Sequence, residues 1–178
     1  MDSTEVIATH RAAGRFFTAG AVRSFVLDEG EGPAVVCLHG VPTSSFLYRK
    51  VVPELALRHL RGIAFDLPGL GLADRPTELD YSWSGLGAWA ATAIDALELE
   101  RVHLVVHDIG GPVGFEAARR LGSRVESMTV LNTVIEADTF RRPWTMHPFS
   151  VPRVGEAWLA GMVKPLFRRL MALQGVHD

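Results

Sequence analysis

The sequence has very little cysteine and no excess of charge of either sign. Its 178 residues include a single cysteine, Cys37, so no intramolecular disulfide can form and no cysteine-based zinc pattern exists. Eighteen Lys and Arg residues against 20 Asp and Glu residues give a formal net charge of −2. That balance excludes the strong basic field typical of proteins that bind nucleic acid or anionic membranes. We therefore predict no nucleic-acid partner, no membrane partner, no metal and no cofactor.

Long apolar runs are missing as well. The first five residues are polar and acidic and lead into no apolar core of a signal peptide, and no run is long enough to span a bilayer. These absences predict a cytoplasmic protein. With 48% hydrophobic and 21% charged residues, the composition is that of a globular domain, long enough to enclose a core of its own.

Short apolar runs alternate with helical stretches. The runs 34–38, 62–65, 102–106 and 128–131 each end in turn residues, and such unalternated runs are typical of strands buried on both faces. Helices are predicted over residues 44–59, 84–97 and 109–121, and residues 16–27 are expected to form a hairpin. The pattern predicts an α/β fold with a doubly wound, mostly parallel sheet.

The character of the chain changes after residue 132. Residues 133–155 are irregular and proline-containing, and apolar residues then recur at helical spacing from Trp158 to Met171. Pro165 lies inside this pattern and should kink or divide the helix. We predict residues 1–133 to be part of the core and residues 134–178 to be a helical segment. That segment either packs simply against the core or forms a lid over the carboxyl ends of the strands.

The segment Val105–Gly111 combines a strand, a polar residue at its end, and glycines that enter a helix. This arrangement is a nucleophile elbow with Asp108 at the nucleophile position, although an Asp before a helix is also a common N-cap. Residues 39–46 and 66–76 carry two further turn motifs, each after a predicted strand. Three motifs in the right order at strand ends favour the catalytic interpretation.

The blocks His39–Arg49 and Val105–Asp108 resemble haloalkane dehalogenases of the α/β-hydrolase fold, and the resemblance spans about residues 16–132. It implies that Asp108 attacks a carbon of a small apolar organic substrate, expels the leaving group and forms an alkyl ester. It also implies that the backbone N–H groups of Val41 and Ile109 form the oxyanion hole.

Two positions depart from the dehalogenase pattern. The family places Trp just after the nucleophile, where this chain has Ile109, and many members have Asn where it has Val41. A leaving halide would therefore lack both of its usual side-chain donors, which leaves Trp144 and Trp158 of residues 134–178 as candidate donors.

Epoxide hydrolases are the alternative to which the resemblance also extends. They usually have Gly in place of Val106, and they protonate the epoxide oxygen with tyrosines of the lid. The only tyrosines here, Tyr48 and Tyr81, lie outside the predicted helical segment. Both substrate classes stay open, and the dehalogenase-like class is the closer match.

The histidines do not supply the expected base. His39 and His107 are expected to make structural hydrogen bonds, and His147 and His177 fall before the position where the family places its catalytic histidine. Asn132 follows the strand where one dehalogenase branch keeps its acid, and an amide cannot serve as that acid. We therefore expect an N-terminal portion without the C-terminal core strands, the acid and the histidine. A catalytically incompetent binding remnant is the second functional class, a serine esterase is disfavoured because no Ser occupies the elbow, and the oligomeric state stays open.

Overall fold

The computed structural model describes residues 2–136, 138, 141, 147–148, 151 and 153–173. Its strands are β1 (Arg15–Ala19), β2 (Val22–Glu29), β3 (Ala34–Leu38), β4 (Arg61–Phe65), β5 (Val102–His107) and β6 (Val125–Leu131). Its α-helices are α1 (Ser3–Ala12), α2 (Val51–Ala56), α3 (Trp83–Ala96), α4 (Gly110–Leu121), α5 (Val154–Ala160) and α6 (Lys164–Leu173). Two short 3-10 helices span Ser45–Tyr48 and Gly122–Arg124.

The six strands form one sheet in the order β1-β2-β4-β3-β5-β6. β1 and β4 both pair with β2 in antiparallel fashion, whereas the remaining pairs are parallel. The predicted α/β class with a mostly parallel sheet is confirmed. The chain leaves β3 toward β4 on one side and returns to β5 on the other, and the carboxyl ends of strands at such a reversal are where open α/β sheets bind ligands.

Alternating side chains place an apolar layer on each face of the sheet. On one face, residues such as Leu38 and Leu104 pack with Trp89 and Val113 of α3 and α4. On the other face, Phe25, Val35 and Cys37 pack with Tyr48 and Val52. Full burial raises the pKa of the Cys37 thiol to about 12, because an apolar environment disfavours the thiolate. The centre of the sheet is therefore a rigid support for its strand ends.

The predicted continuous helix over residues 44–59 is wrong. The chain forms a 3-10 helix over Ser45–Tyr48 and then α2, which begins only at Val51. Pro53 explains the break, because proline has no N–H and its ring tolerates only the first turn of a helix. Helix α1 was not predicted at all, since His10 is its one buried residue and it shows no apolar face.

The chain divides into two compact units, Met1–Ile135 and Glu136–Asp178. In the second unit α5 and α6 are separate helices, and Pro165 lies in the first turn of α6. This confirms that the amphipathic stretch is divided, and the first turn is where proline is tolerated. Its role as a lid remains a prediction. Among the helices in the described ranges, none combines the length and apolar character needed to cross a membrane.

Candidate active site

Asp108 lies in a sharp turn between β5 and α4. Its φ of 55° falls in the left-handed region, which Asp enters more readily than most residues because its short polar side chain tolerates it. The N–H of Gly111 donates to the Asp108 carbonyl at 3.0 Å and closes the turn. The strand-to-helix turn predicted from the sequence is therefore present.

The glycines of the elbow are required by close backbone approach. A Cβ at Gly110 would overlap the carbonyl oxygen of Leu38, and one at Gly111 would overlap the side chain of Thr133. Any larger residue at these two positions would push α4 away from β3 or from the chain after β6. The turn that carries Asp108 therefore fits between β3 and the chain after β6 only because these two positions have no side chain.

The carboxylate of Asp108 is oriented by the segment that follows β3. The N–H of Val41 donates to Asp108 Oδ1 at 2.8 Å, as predicted for one of the two backbone donors. A Cβ at Gly40 would overlap Asp108 Cβ and Oδ1, so the chain passes directly beside the carboxylate. The second predicted donor, the N–H of Ile109, makes no hydrogen bond to Asp108 Oδ1 or Oδ2 among the described residues.

The chain after β6 holds the backbone of Asp108. Its N–H donates to the Asn132 carbonyl at 3.3 Å, and the Thr133 hydroxyl donates to its carbonyl oxygen. Both polar backbone groups of Asp108 are therefore paired outside the helix. Sequence reasoning missed Thr133, because this role depends on the pairing of β5 with β6 and leaves no local signal.

His39 supports the turn that carries Val41. Its Nδ1 lies 2.9 Å from the Gly40 carbonyl, and its Nε2 accepts the N–H of Leu67 at 3.0 Å. Full burial lowers the pKa of His39, and these partners require a neutral imidazole with its proton on Nδ1. The predicted structural role of His39 is confirmed.

His107 does not fulfil the same prediction. Its Nδ1 is buried and has no hydrogen-bond partner among the described residues. The prediction of a structural hydrogen bond is therefore wrong for His107 Nδ1.

Asp66, at the end of β4, is a fully buried carboxylate that organises two loops. Its Oδ1 accepts the N–H of Ser45 at 2.7 Å, and its Oδ2 accepts the N–H of Leu72 at 2.7 Å. Charge-assisted bonds of this kind compensate a carboxylate for lost hydration. Asp66 thus fixes the loop after β4 to the segment after β3.

The remaining predicted residues lie apart from this cluster. The hydroxyl of Tyr48 donates to the Leu38 carbonyl at 3.0 Å, and that of Tyr81 donates to the Pro76 carbonyl at 2.9 Å. His147 and Trp158 belong to the second compact unit. Trp144 and His177 lie outside the described residues. Across the described ranges, no group of three or more His, Cys, Asp or Glu residues could hold a metal ion.

An elbow residue at the carboxyl end of β5, facing a backbone donor after β3, defines a recognisable class of protein. The sequence model of the family described as alpha/beta hydrolase fold matches residues 33–173, a range that contains both parts of the site. The chain belongs to the α/β hydrolase fold family.

Within that family the chain is similar to haloalkane dehalogenases, as its motifs predicted. The haloalkane dehalogenase of Mycobacterium marinum is 35% identical over 129 residues, which cover 71% of this chain and 43% of that enzyme. The solved haloalkane dehalogenase DatA from Agrobacterium tumefaciens C58 has a TM-score of 0.72 at 28% identity, covering 82% of this chain and 51% of DatA.

Epoxide hydrolases are related as well. The epoxide hydrolase VrEH1 from Vigna radiata has a TM-score of 0.62 at 29% identity. The match covers 66% of this chain and 37% of VrEH1. The chain thus spans about half or less of the length of these three relatives.

Proposed function

We propose that the chain carries the nucleophile of a hydrolase of the haloalkane dehalogenase type, and that Asp108 is this nucleophile. The observation that supports the proposal most strongly is the hydrogen bond from the Val41 N–H to Asp108 Oδ1 at 2.8 Å. It leaves Asp108 Oδ2 without a hydrogen-bond donor from residues 2–135, and a carboxylate oxygen whose lone pairs are free can attack carbon.

The two oxygens then take different roles. Asp108 Oδ2 attacks the substrate carbon in line, the new C–O bond forms, and the carbon–halogen bond breaks with its electron pair on the departing halide. Oδ1 becomes the carbonyl oxygen of the alkyl ester. When water adds to that ester, negative charge develops on Oδ1, where the Val41 N–H already points. We assign the N–H of Ile109 as the second donor to this oxyanion.

The departing halide would meet few side-chain donors near the nucleophile. Neither Val41 nor Ile109 carries a side-chain N–H, so we propose that the substrate has a good leaving group. Small apolar bromoalkanes and iodoalkanes fit this requirement better than chloroalkanes do.

An epoxide is the second candidate substrate, supported by the relationship to the Vigna radiata epoxide hydrolase. Opening an epoxide leaves an alkoxide on the alkyl ester, which needs a proton donor. The hydroxyls of Tyr48 and Tyr81 both donate to backbone carbonyls, which favours the halide over the epoxide. A cytoplasmic location remains part of the proposal, and fractionation of the native cells would test it.

Covalent labelling of Asp108 tests the proposed function. Folded chain is incubated with a small bromoalkane or with a small terminal epoxide, and intact mass followed by peptide mapping locates the adduct. We expect an alkyl adduct on Asp108 with the bromoalkane, none with Asp108→Asn, and normal labelling of Asp74→Asn, which removes an exposed carboxylate. An adduct from the epoxide alone would favour the second substrate class. No adduct from either reagent would favour a binding remnant.

A further inference from the structure

Helix α1 has little that would keep it helical on its own. It spans ten residues, and His10 is the only one of them that is buried. Isolated helices shorter than about 12–15 residues are marginal in water. The conformation of α1 therefore depends on its attachment to the rest of the first unit. Arg11 lies over the Phe16 ring at 5.2 Å, and His10 supplies the buried part of the attachment.

The imidazole of His10 is inserted between aromatic rings and a buried hydroxyl. Its centroid lies 5.0 Å from that of Phe25 and 5.2 Å from that of Phe46, the latter in an edge-to-face arrangement. Its Nε2 lies 3.1 Å from the hydroxyl oxygen of Ser45, a residue with no exposed surface. Both packing and a hydrogen bond thus connect α1 to the 3-10 helix that starts at Ser45.

Ser45 closes the segment that carries the backbone donor to Asp108. At its start, the Gly40 carbonyl accepts from the N–H of Thr43 at 3.0 Å and from its hydroxyl at 2.9 Å. At its end, Ser45 is held on two sides, by Asp66 through its N–H and by His10 through its hydroxyl. Val41 lies between these two anchors.

We infer that His10 is a positioning residue for the Val41 N–H: helix α1 holds Ser45, and Ser45 holds the segment that aligns Val41 with Asp108. The inference about alignment stands on these contacts alone. Its consequence for catalysis rests on the proposed function.

A pH dependence follows from the same contacts. Burial lowers the pKa of His10 below its usual 6.5, while the nearby Asp66 carboxylate raises it and the Arg49 guanidinium lowers it to a smaller extent. The docked helix therefore binds fewer protons than the released one. Docking is complete above about pH 6.5 and weakens as the pH falls from there through the lowered pKa of docked His10.

Two substitutions in the full 178-residue chain separate packing from hydrogen bonding. His10→Phe keeps an aromatic ring but removes the bond to Ser45, whereas His10→Gln can keep that bond and cannot titrate. Thr9→Ala is the matched control, because Thr9 is an exposed neighbour on the same helix. Hydrogen exchange of a peptide covering residues 41–48 reports directly on the segment and needs no catalysis.

We expect exchange of residues 41–48 to be roughly 3- to 10-fold faster in His10→Phe, unchanged in Thr9→Ala, and independent of pH between about 5 and 7 in His10→Gln after correction for intrinsic exchange. The wild-type chain should lose protection as the pH falls through that interval. Labelling of Asp108 should slow by a similar factor in His10→Phe, with unchanged apparent affinity for the bromoalkane.

Unchanged protection of residues 41–48 in His10→Phe would overturn the inference, above all if α1 itself exchanges faster. Should His10→Phe fail to fold, the comparison of wild type with His10→Gln across pH decides instead, and identical profiles would overturn it. If neither the wild type nor any of these variants is labelled at Asp108, the proposed function fails. The exchange data still decide the role of His10 in that case.

Discussion

Two neighbouring parallel strands hold Asp108, and their surroundings differ. β5 lies inside the sheet, and its residues Val102, Leu104 and Val106 are buried. β6 ends the strand order, and Val130 and Leu131 are 40% and 44% exposed. The nucleophile thus follows the covered strand, while the groups that clamp its backbone follow the exposed one. The backbone of Asp108 is therefore held from the edge of the sheet, while its carboxylate is oriented from the covered side, by the segment after β3.

Stability should depend far more on β5 than on β6. We expect Leu104→Ala to lower the free energy of unfolding by about 2–5 kcal/mol, because it leaves a cavity in the core. Val130→Ala should cost less than about 1 kcal/mol, since much of that side chain is already in water. Urea denaturation followed by circular dichroism measures both. Equal losses of unfolding free energy in the two variants would mean that β6 is covered in solution and would contradict the difference between the two strands.

Reactivity should respond most to the segment after β3, the covered neighbour of β5. Gly40→Ala places a methyl group where the Asp108 side chain lies and must move the carboxylate away from the Val41 N–H. A misplacement of this size costs about 100-fold in rate. We expect labelling of Asp108 to fall by that factor, while Gly161→Ala, where a Cβ meets its nearest atom at 3.4 Å, has no effect. Labelling of Gly40→Ala at the wild-type rate would show that this alignment is unimportant.

The groups after β6 that hold the backbone of Asp108 should contribute less to its labelling rate. Thr133→Val keeps the shape of the side chain and removes the hydroxyl that donates to the Asp108 carbonyl. One hydrogen bond is worth about 0.5–1.5 kcal/mol, so we expect labelling to slow by about 3- to 10-fold in Thr133→Val. Thr133→Ser should restore most of the rate, because it restores the hydroxyl. Equal labelling rates in Thr133→Val and Thr133→Ser would show that the Thr133 hydroxyl does not help to position Asp108.

The sequence predicted the sheet and the elbow because their signals are local. Short apolar runs indicate the strands, and the glycines after Asp108 indicate the turn. Thr133 and His10 carry no such signal, since they act on partners 25 and 35 residues away in the chain. Only the folded sheet brings these residues together. The break at Pro53 could have been predicted, because a proline restricts where a helix can begin.

The smallest expected effect is on stability and concerns the antiparallel part of the sheet. There the carboxylate of Asp28 in β2 accepts hydrogen bonds from Arg61 at 2.8 Å and from Arg15 at 3.0 Å. The hydrogen bond from Arg61 is the main reason why the pKa of Asp28 lies below its usual 3.8. Its stabilisation is complete above that pH and is lost as the pH falls through the lowered pKa of the folded chain. Because Arg15 and Arg61 are partly exposed, we expect less than about 1 kcal/mol. Urea midpoints of wild type and Asp28→Asn should converge at low pH, and a constant difference would contradict this.

Release of bromide during the first turnover tests the central claim, the nucleophilic role of Asp108, most directly. Within residues 2–135 no imidazole hydrogen-bonds to the Asp108 carboxylate, and without a base to activate water the alkyl ester should form and then persist. We expect a burst of about one bromide per folded chain without sustained turnover, and no burst from Asp108→Asn under the same conditions. Bromide release that survives in folded Asp108→Asn, or its complete absence from the folded wild-type chain, would contradict the assignment of Asp108.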